Sequence, residues 1–141
     1  MSRIVDIADA VVTALNAGPF DPALQAVRSY QPGYELEQLK ELRITVVPRG
    51  MEQTGATRAM TQRDVQIDIG IQKKLAQTNA AEVDALLDLV QQMADHIRTV
   101  RQFGPAIWVK TENTPIYSVE HMEQLRVFTS VLTLTLRMVT T

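Results

Sequence analysis

The sequence predicts an α+β fold: a mainly antiparallel sheet, two helices packed on one of its faces, and a long β-hairpin loop. Three observations lead there. Residues 64–72 and 127–138 alternate apolar with polar or small side chains, the period-two pattern of half-buried strands. Residues 4–15 and 79–100 repeat apolar side chains at helical spacing along one stripe. The order is helix, three strands, helix, then two or three strands. Every helix stripe and every apolar sheet face then needs a partner, and one layer of helices on one face of a sheet supplies it. The whole chain, residues 1–141, reads as one domain, large enough to bury a core without disulfide or metal staples.

In chain order, the first helix carries Ile4, Ile7, Ala8, Val11, Val12 and Leu15 on one face. Ser2 is its expected cap, Asp6 and Asp9 suit its positive end, and Gly18-Pro19 stops it. A short strand is expected over residues 25–30, closed by Pro32-Gly33. Leu42, Ile44 and Val46 then point to one side of a second strand; Arg43, Thr45 and Val47 point to the other. In the third strand Val65, Ile67, Ile69 and Ile71 alternate with Asp64, Gln66, Asp68, Gly70 and Gln72.

The second helix opens with Asn79 as N-cap and Glu82 three places on, the spacing of a capping box. Its stripe is Val83, Leu86, Leu87, Val90, Met93, Ala94 and Ile97, and the pattern breaks at residues 103–105. "AIWVK" reads as a short strand and "TENTP" as a turn; "IYSVEHMEQL" reads as a further short strand or an irregular segment. The last strand places Phe128, Leu132, Leu134, Leu136 and Met138 on one face, and Thr129, Val131, Thr133, Thr135 and Arg137 on the other. It carries few charges, which suits the middle of a sheet.

Composition bounds the function. Charged residues make up 21% of the chain and the net charge is -2, so no nucleic-acid or membrane partner is announced. With no cysteine, disulfides and thiolate metal sites are excluded. The apolar runs are too short to span a bilayer, and no basic stretch followed by an apolar run suggests a leader. The residues point to a cytoplasmic chain that works without a cofactor.

The search for chemistry yields little. His96, beside Asp95 and near Arg98, reads as a polar helix position. His121 stands with Glu120 and Glu123, but their spacing matches no metal-ligand motif, and an exposed charged loop explains them better. Ser29, Ser118 and Ser130 lack a glycine elbow, "RGMEQTG" lacks the lysine and spacing of a phosphate loop, and Trp108 reads as a core or interface anchor. No catalytic, cofactor or metal residues are assigned, and the chain is read as a non-enzyme.

One stretch resists the bland reading. "PRGMEQTGATRAMTQRD", residues 48–64, joins two strands with far more chain than the about two to five residues of an ordinary hairpin. It holds two glycines, three threonines and three arginines, and it reads as a mobile loop over about residues 48–63. Arg49, Arg58, Arg63, Lys73 and Lys74 gather around it in sequence, yet no aromatic residue is interleaved for base stacking, and Glu52, Asp64 and Asp68 dilute the charge. A long loop on a rigid sheet is a contact device, and methionine adapts to such contacts. The candidate contact residues are Arg49, Met51, Glu52, Arg58, Met60 and Arg63.

Over nearly its whole length the chain resembles the tail-terminator, or tail-completion, proteins of long-tailed bacteriophages. The resemblance lies in an order of elements. The apolar helix "IVDIADAVVTAL" is followed by a strand and "PG" turn, "AVRSYQPGYELEQL", and by a strand ending in proline, "LRITVVPRG". A polar hairpin then leads to the alternating "RDVQIDIGIQKK", the helix "AAEVDALLDLVQQMADHI" and the closing strand "VFTSVLTLTLRMV". The resemblance implies a virion protein assembled in a bacterial cytoplasm: a ring, usually of six copies, on the last layer of the tail tube. Such a ring ends tube growth and offers a surface to the head–tail connector and, in contractile tails, to the last sheath layer. DNA would pass through it without specific recognition. The hairpin of residues 49–62 would project toward the tube or the ring's interior. Three other readings stay open: a tail-tube or connector (neck) subunit, a module binding a small ligand between sheet and helices, and a weak hydrolase.

Overall fold

The computed structural model describes residues 4–20, 24–30, 41–55, 57–75, 80–113 and 116–140. They form α1 (Ile4–Asn16), β1 (Ala26–Arg28), β2 (Arg43–Gly55), β3 (Thr61–Lys74), α2 (Ala80–Val100), β4 (Gln102–Phe103), β5 (Ala106–Glu112), α3 (Val119–Leu125) and β6 (Val127–Thr140). The six strands make one sheet in the order β1-β2-β3-β6-β5-β4. β1 runs parallel to β2, and the remaining neighbours are antiparallel.

Period-two alternation places one row of every central strand toward the core. Ile44, Val46 and Pro48 of β2 lie opposite Ile71, Ile69 and Ile67 of β3, which in turn face Ser130, Leu132 and Leu134 of β6. This row shares one buried cluster with Ile7, Val11 and Leu15 of α1 and with Leu86, Leu89, Met93 and Ile97 of α2. The helical stripes and the sheet's apolar row therefore cover each other, and burial of both drives the pairing. The α2 stripe is rotated slightly from the sequence expectation. Leu89 is fully buried, whereas Val83, Leu87 and Ala94 are only half-buried against the core.

Polar groups fasten the edges. Asn16, the last residue of α1, accepts from the Ala26 backbone N–H at 2.7 Å and donates to the Ala26 carbonyl at 3.2 Å. Its side-chain amide thus pairs with the side of β1 away from β2, where no strand lies among the described residues. Arg28 Nε donates to Asp9 at 2.7 Å, tying β1 to α1 again. After α1 the chain turns sharply at Gly18, where a Cβ would run into the Phe20 ring. That ring packs edge-on to His96 of α2 with centroids 5.2 Å apart, and His96 Nε2 lies 3.0 Å from the Ala14 carbonyl. His96 therefore joins the two helices.

Several expectations are corrected. "IYSVEHMEQL" is no strand: residues 119–125 form α3, capped by the Ser118 hydroxyl, which accepts from the His121 N–H. Arg126 ends α3 in the left-handed region at φ 54°, and Arg101 does the same after α2 at φ 63°. The break at residues 103–105 is a tight hairpin between β4 and β5, with Phe103 opposite Ala106 and Gly104 at φ 61°. Its positive φ suits glycine at the first central position of a two-residue turn. The expected caps Ser2 and Asn79 and the Pro32-Gly33 stop lie outside the described residues.

Two stability predictions follow from this packing. Ile69 is fully buried in the central strand, so Ile69→Ala lowers unfolding free energy by about 2–5 kcal/mol in a urea titration. Asn16→Ala strands the edge backbone groups of Ala26 and costs about 1–3 kcal/mol in the same assay, although it removes almost no apolar surface.

Candidate functional site

Most of the stretch expected as a loop is strand: residues 48–55 belong to β2 and residues 61–64 to β3. β2 continues through Gly55 and β3 begins at Thr61, with the pairs running Met51–Val65, Glu52–Asp64, Gln53–Arg63, Thr54–Gln62 and Gly55–Thr61. β6 follows β3 as far out, ending at the pair Thr61–Thr140. The tip is closed by the Thr57 N–H donating to the Met60 carbonyl at 3.3 Å. The result is a three-stranded arm that extends past the end of the core. Val65 and Leu136 are its last fully buried pair; Met51, opposite Val65 on β2, is 53% exposed, and beyond Met138 the next residue of β6, Val139, is 49% exposed.

Pattern reading misses this arm for a physical reason. Antiparallel ladders are built from backbone N–H and C=O groups, which every residue but proline supplies in full. Alternation is visible only where apolar side chains fill a buried face, and past Val65 the core-side position of β3 is Arg63, opposite the buried Met138, while β2 carries the exposed Met51 and Gln53. A bulge adds a second disturbance. Pro48 faces Ile67 and Gly50 faces Gln66, so Arg49 is an extra residue that shifts the side-chain parity of β2.

The six candidate residues all lie on or at the root of this arm. Arg49, the bulged residue, has a side chain 57% exposed, with Nη1 3.8 Å from Asp68 Oδ1. Met51 continues the core-side row into solvent, and Glu52 lies on the outer row beside Asp64. Arg58 is exposed in the tip, and Met60 is half-buried next to it. Arg63 lies between Gln53 and Met138. Its Nε atom is buried and has no hydrogen-bond partner among the described residues. Lys73 and Lys74 are not brought to this cluster. They sit at the other end of β3, roughly 33 Å along the strand from Arg63, and Lys73 Nζ is held 2.9 Å from Glu82. The basic run in the sequence is therefore split between opposite ends of the sheet.

Two features of the arm are absent from any reading of the chain alone. The first is its bracing. Arg137 of β6 grips Asp64 of β3 with two hydrogen bonds, Nε to Oδ1 at 2.8 Å and Nη2 to Oδ2 at 3.1 Å. The guanidinium holds the Asp64 carboxyl below its usual range, against a smaller opposing effect of burial. On the same outer face Thr133 Oγ1 donates to Asp68 at 2.8 Å, and Lys110 pairs with Glu112 at 2.8 Å. The second is an open edge. β1 pairs with β2 only as far as Val46, so among the described residues no strand flanks residues 47–55 on the side away from β3.

The remaining candidates are structural. His121 Nδ1 lies 2.9 Å from Thr129 Oγ1 and sits in α3, not in a loop. Trp108 is half-buried against the core and donates from Nε1 to Thr111 Oγ1 at 2.8 Å. No group of three or more potential metal ligands occurs among the described residues, and no helix is long and apolar enough to cross a membrane. The sequence matches no known protein-family model and no curated protein.

The arm's bracing has a pH signature. Asp64 has its folded-state pKa depressed, so the stability its pairing supplies is present above the unfolded carboxylate value of about 3.9. It is lost as pH falls through the lower folded value. NMR resonances of residues 61–65 and 136–139 are expected to broaden in that acidic window before those of the core strands. Asp64→Asn produces the same local loosening at neutral pH, with the core resonances of Ile69 and Leu134 unmoved.

Proposed function

We propose that the protein is a ring-forming virion subunit that caps the tail tube of a long-tailed phage, ends its growth and presents the surface for joining head to tail. The observation that carries this reading is the arm. A domain of this size has no folding use for three strands that run on past its core. The arm's three strands are paired to one another and its acidic Asp64 is matched to Arg137, and yet Met51, Arg49, Arg58 and the outer edge of residues 47–55 are left open. Methionine and arginine are typical anchors of protein interfaces. A rigid projection also spares a binding partner the cost of ordering a loop. The order of elements that resembles the tail-terminator family supplies the class of assembly.

In this reading the arm is an assembly strut, and capping works by complementarity. One face of the ring matches the growing end of the tube, and the other lacks what the next tube subunit needs. Contacts around such a ring are head-to-tail, so each copy carries two different patches that match. The same arm on a tail-tube subunit would drive open-ended polymerisation, which is the rival reading.

Native mass measured across a concentration series, with and without tail tubes, separates them. A discrete ring, free or only on tubes, is expected. Open-ended tubes of the purified protein would favour the tube-subunit reading, and a monomer that ignores tubes at every concentration would remove the assembly role. Replacing residues 54–62 by a two-residue Asn-Gly turn closes the hairpin at the Gln53–Arg63 pair and leaves the buried Val65 in place, so the shortened chain should keep its circular dichroism and its cooperative unfolding while losing ring formation and capping.

A further inference from the structure

The arm's counterpart is a second surface on the same chain. Between α2 and the β5–β6 side of the sheet runs an open groove of about 410 Å³, walled by Leu87, Val90, Ala94, Leu132, Ile116 and Asn113. Leu87 and Ala94 belong to the apolar stripe that the sheet leaves half-covered, and Ile116 is 56% exposed. Asn113 is fixed by donating to the Val131 carbonyl at 2.8 Å and the Ser130 hydroxyl at 3.0 Å, so that wall is held in place. Asp84 and Asp88 of α2, both exposed, stand three residues before the groove residues Leu87 and Gln91 and so edge that wall with negative charge, whereas Asp95 lines the hollow beside Phe20 and His96 on the other side of the helix.

The arm has the opposite character. From residue 49 to residue 63 it carries Arg49, Arg58 and Arg63 against the single acid Glu52, and its tip adds Ala59 and Met60. The groove has an apolar floor and an acidic rim; the tip has a methionine and an arginine. The chain cannot join the two within itself. The tip pairs at Thr140 and the groove is walled by Leu132, roughly 26 Å apart along one continuous strand. Folding back would break the central ladder.

We infer that the arm tip of one copy seats in the α2 groove of the next, with Met60 and Ala59 on the apolar floor and Arg58 against the Asp84–Asp88 rim. This contact rests on the ring reading and specifies its two matching patches. It is heterologous, because tip and groove are different surfaces, and contacts of that kind close into rings when the rotation permits. Opposite charges also set the polarity of assembly and disfavour tip-to-tip encounters.

The absence of cysteine makes a direct test possible. The variant Ala59→Cys/Gln91→Cys carries only one cysteine on the tip and one on the rim. Oxidation should give an intermolecular ladder ending at the ring's copy number, and each single variant should give at most a dimer. Charge reversal is the independent test. Both R58E and D84K/D88K, each checked for native circular dichroism, should raise the concentration for half-assembly by about tenfold or more. Mixing the two variants, or combining them in one chain, should restore it. A wild-type protein that never self-associates overturns the ring reading and this contact together. A wild-type ring that yields no ladder, or whose assembly ignores R58E and D84K/D88K, overturns this contact and leaves the ring reading standing.

Discussion

The antiparallel ladder between β3 and β6 is the constraint on which the rest of the molecule depends. It runs unbroken from Lys74–Val127 to Thr61–Thr140. Residues far apart in sequence must find one register, and a slip by one residue would turn every apolar side chain of one strand to the wrong face. Once the register is set, Val65, Ile67 and Ile69 stand beside Leu136, Leu134 and Leu132. β2 and β5 then have a template on either side. The helices come last in this logic, since their stripes need that row to bury against.

The same ladder carries order past the core. Strand pairing needs only backbone partners, so β3 and β6 can continue past Met138, the last buried apolar side chain of β6, and β2 follows them. What stabilises this region is polar: the Arg137–Asp64 fork and, nearer the core, the hydrogen bond from Thr133 to Asp68. The side chains at the arm's end are then released from any folding duty. Met51 on the core-side row and Val139 on the outer row are left exposed there, one on each face of the arm.

Net charge conceals an asymmetry that matters for assembly. The whole chain carries -2, close to neutral, but the arm is basic and the solvent face of α2 is acidic. These two regions are held apart by the length of the sheet. In the proposed assembly these separated patches would meet between copies head to tail, and electrostatic steering would favour that orientation over others. The half-covered part of the α2 stripe lies beside the acidic rim, so apolar and polar recognition fall on one surface.

The sequence by itself determined the fold class, the central place of the last strand, and which residues of β2, β3, β6 and α1 face the core. Each follows from one-sided burial, which writes a period of two or 3.6 into the chain. Only the tertiary structure decided the rest. Residues 48–55 and 61–64 carry no apolar period because polar side chains occupy most of their half-buried and exposed positions, and their strand character comes from the backbone ladder that joins β2, β3 and β6. The α3 segment is too short for its apolar residues to declare a stripe, and its ends are set by Ser118 and Arg126. The basic residues that cluster in sequence are divided between two ends of a strand, while arm and groove, distant in sequence, become the two faces of one proposed contact. Periodicity reports how a residue meets the core; it carries no information about backbone partners, or about surfaces that complete each other only between copies.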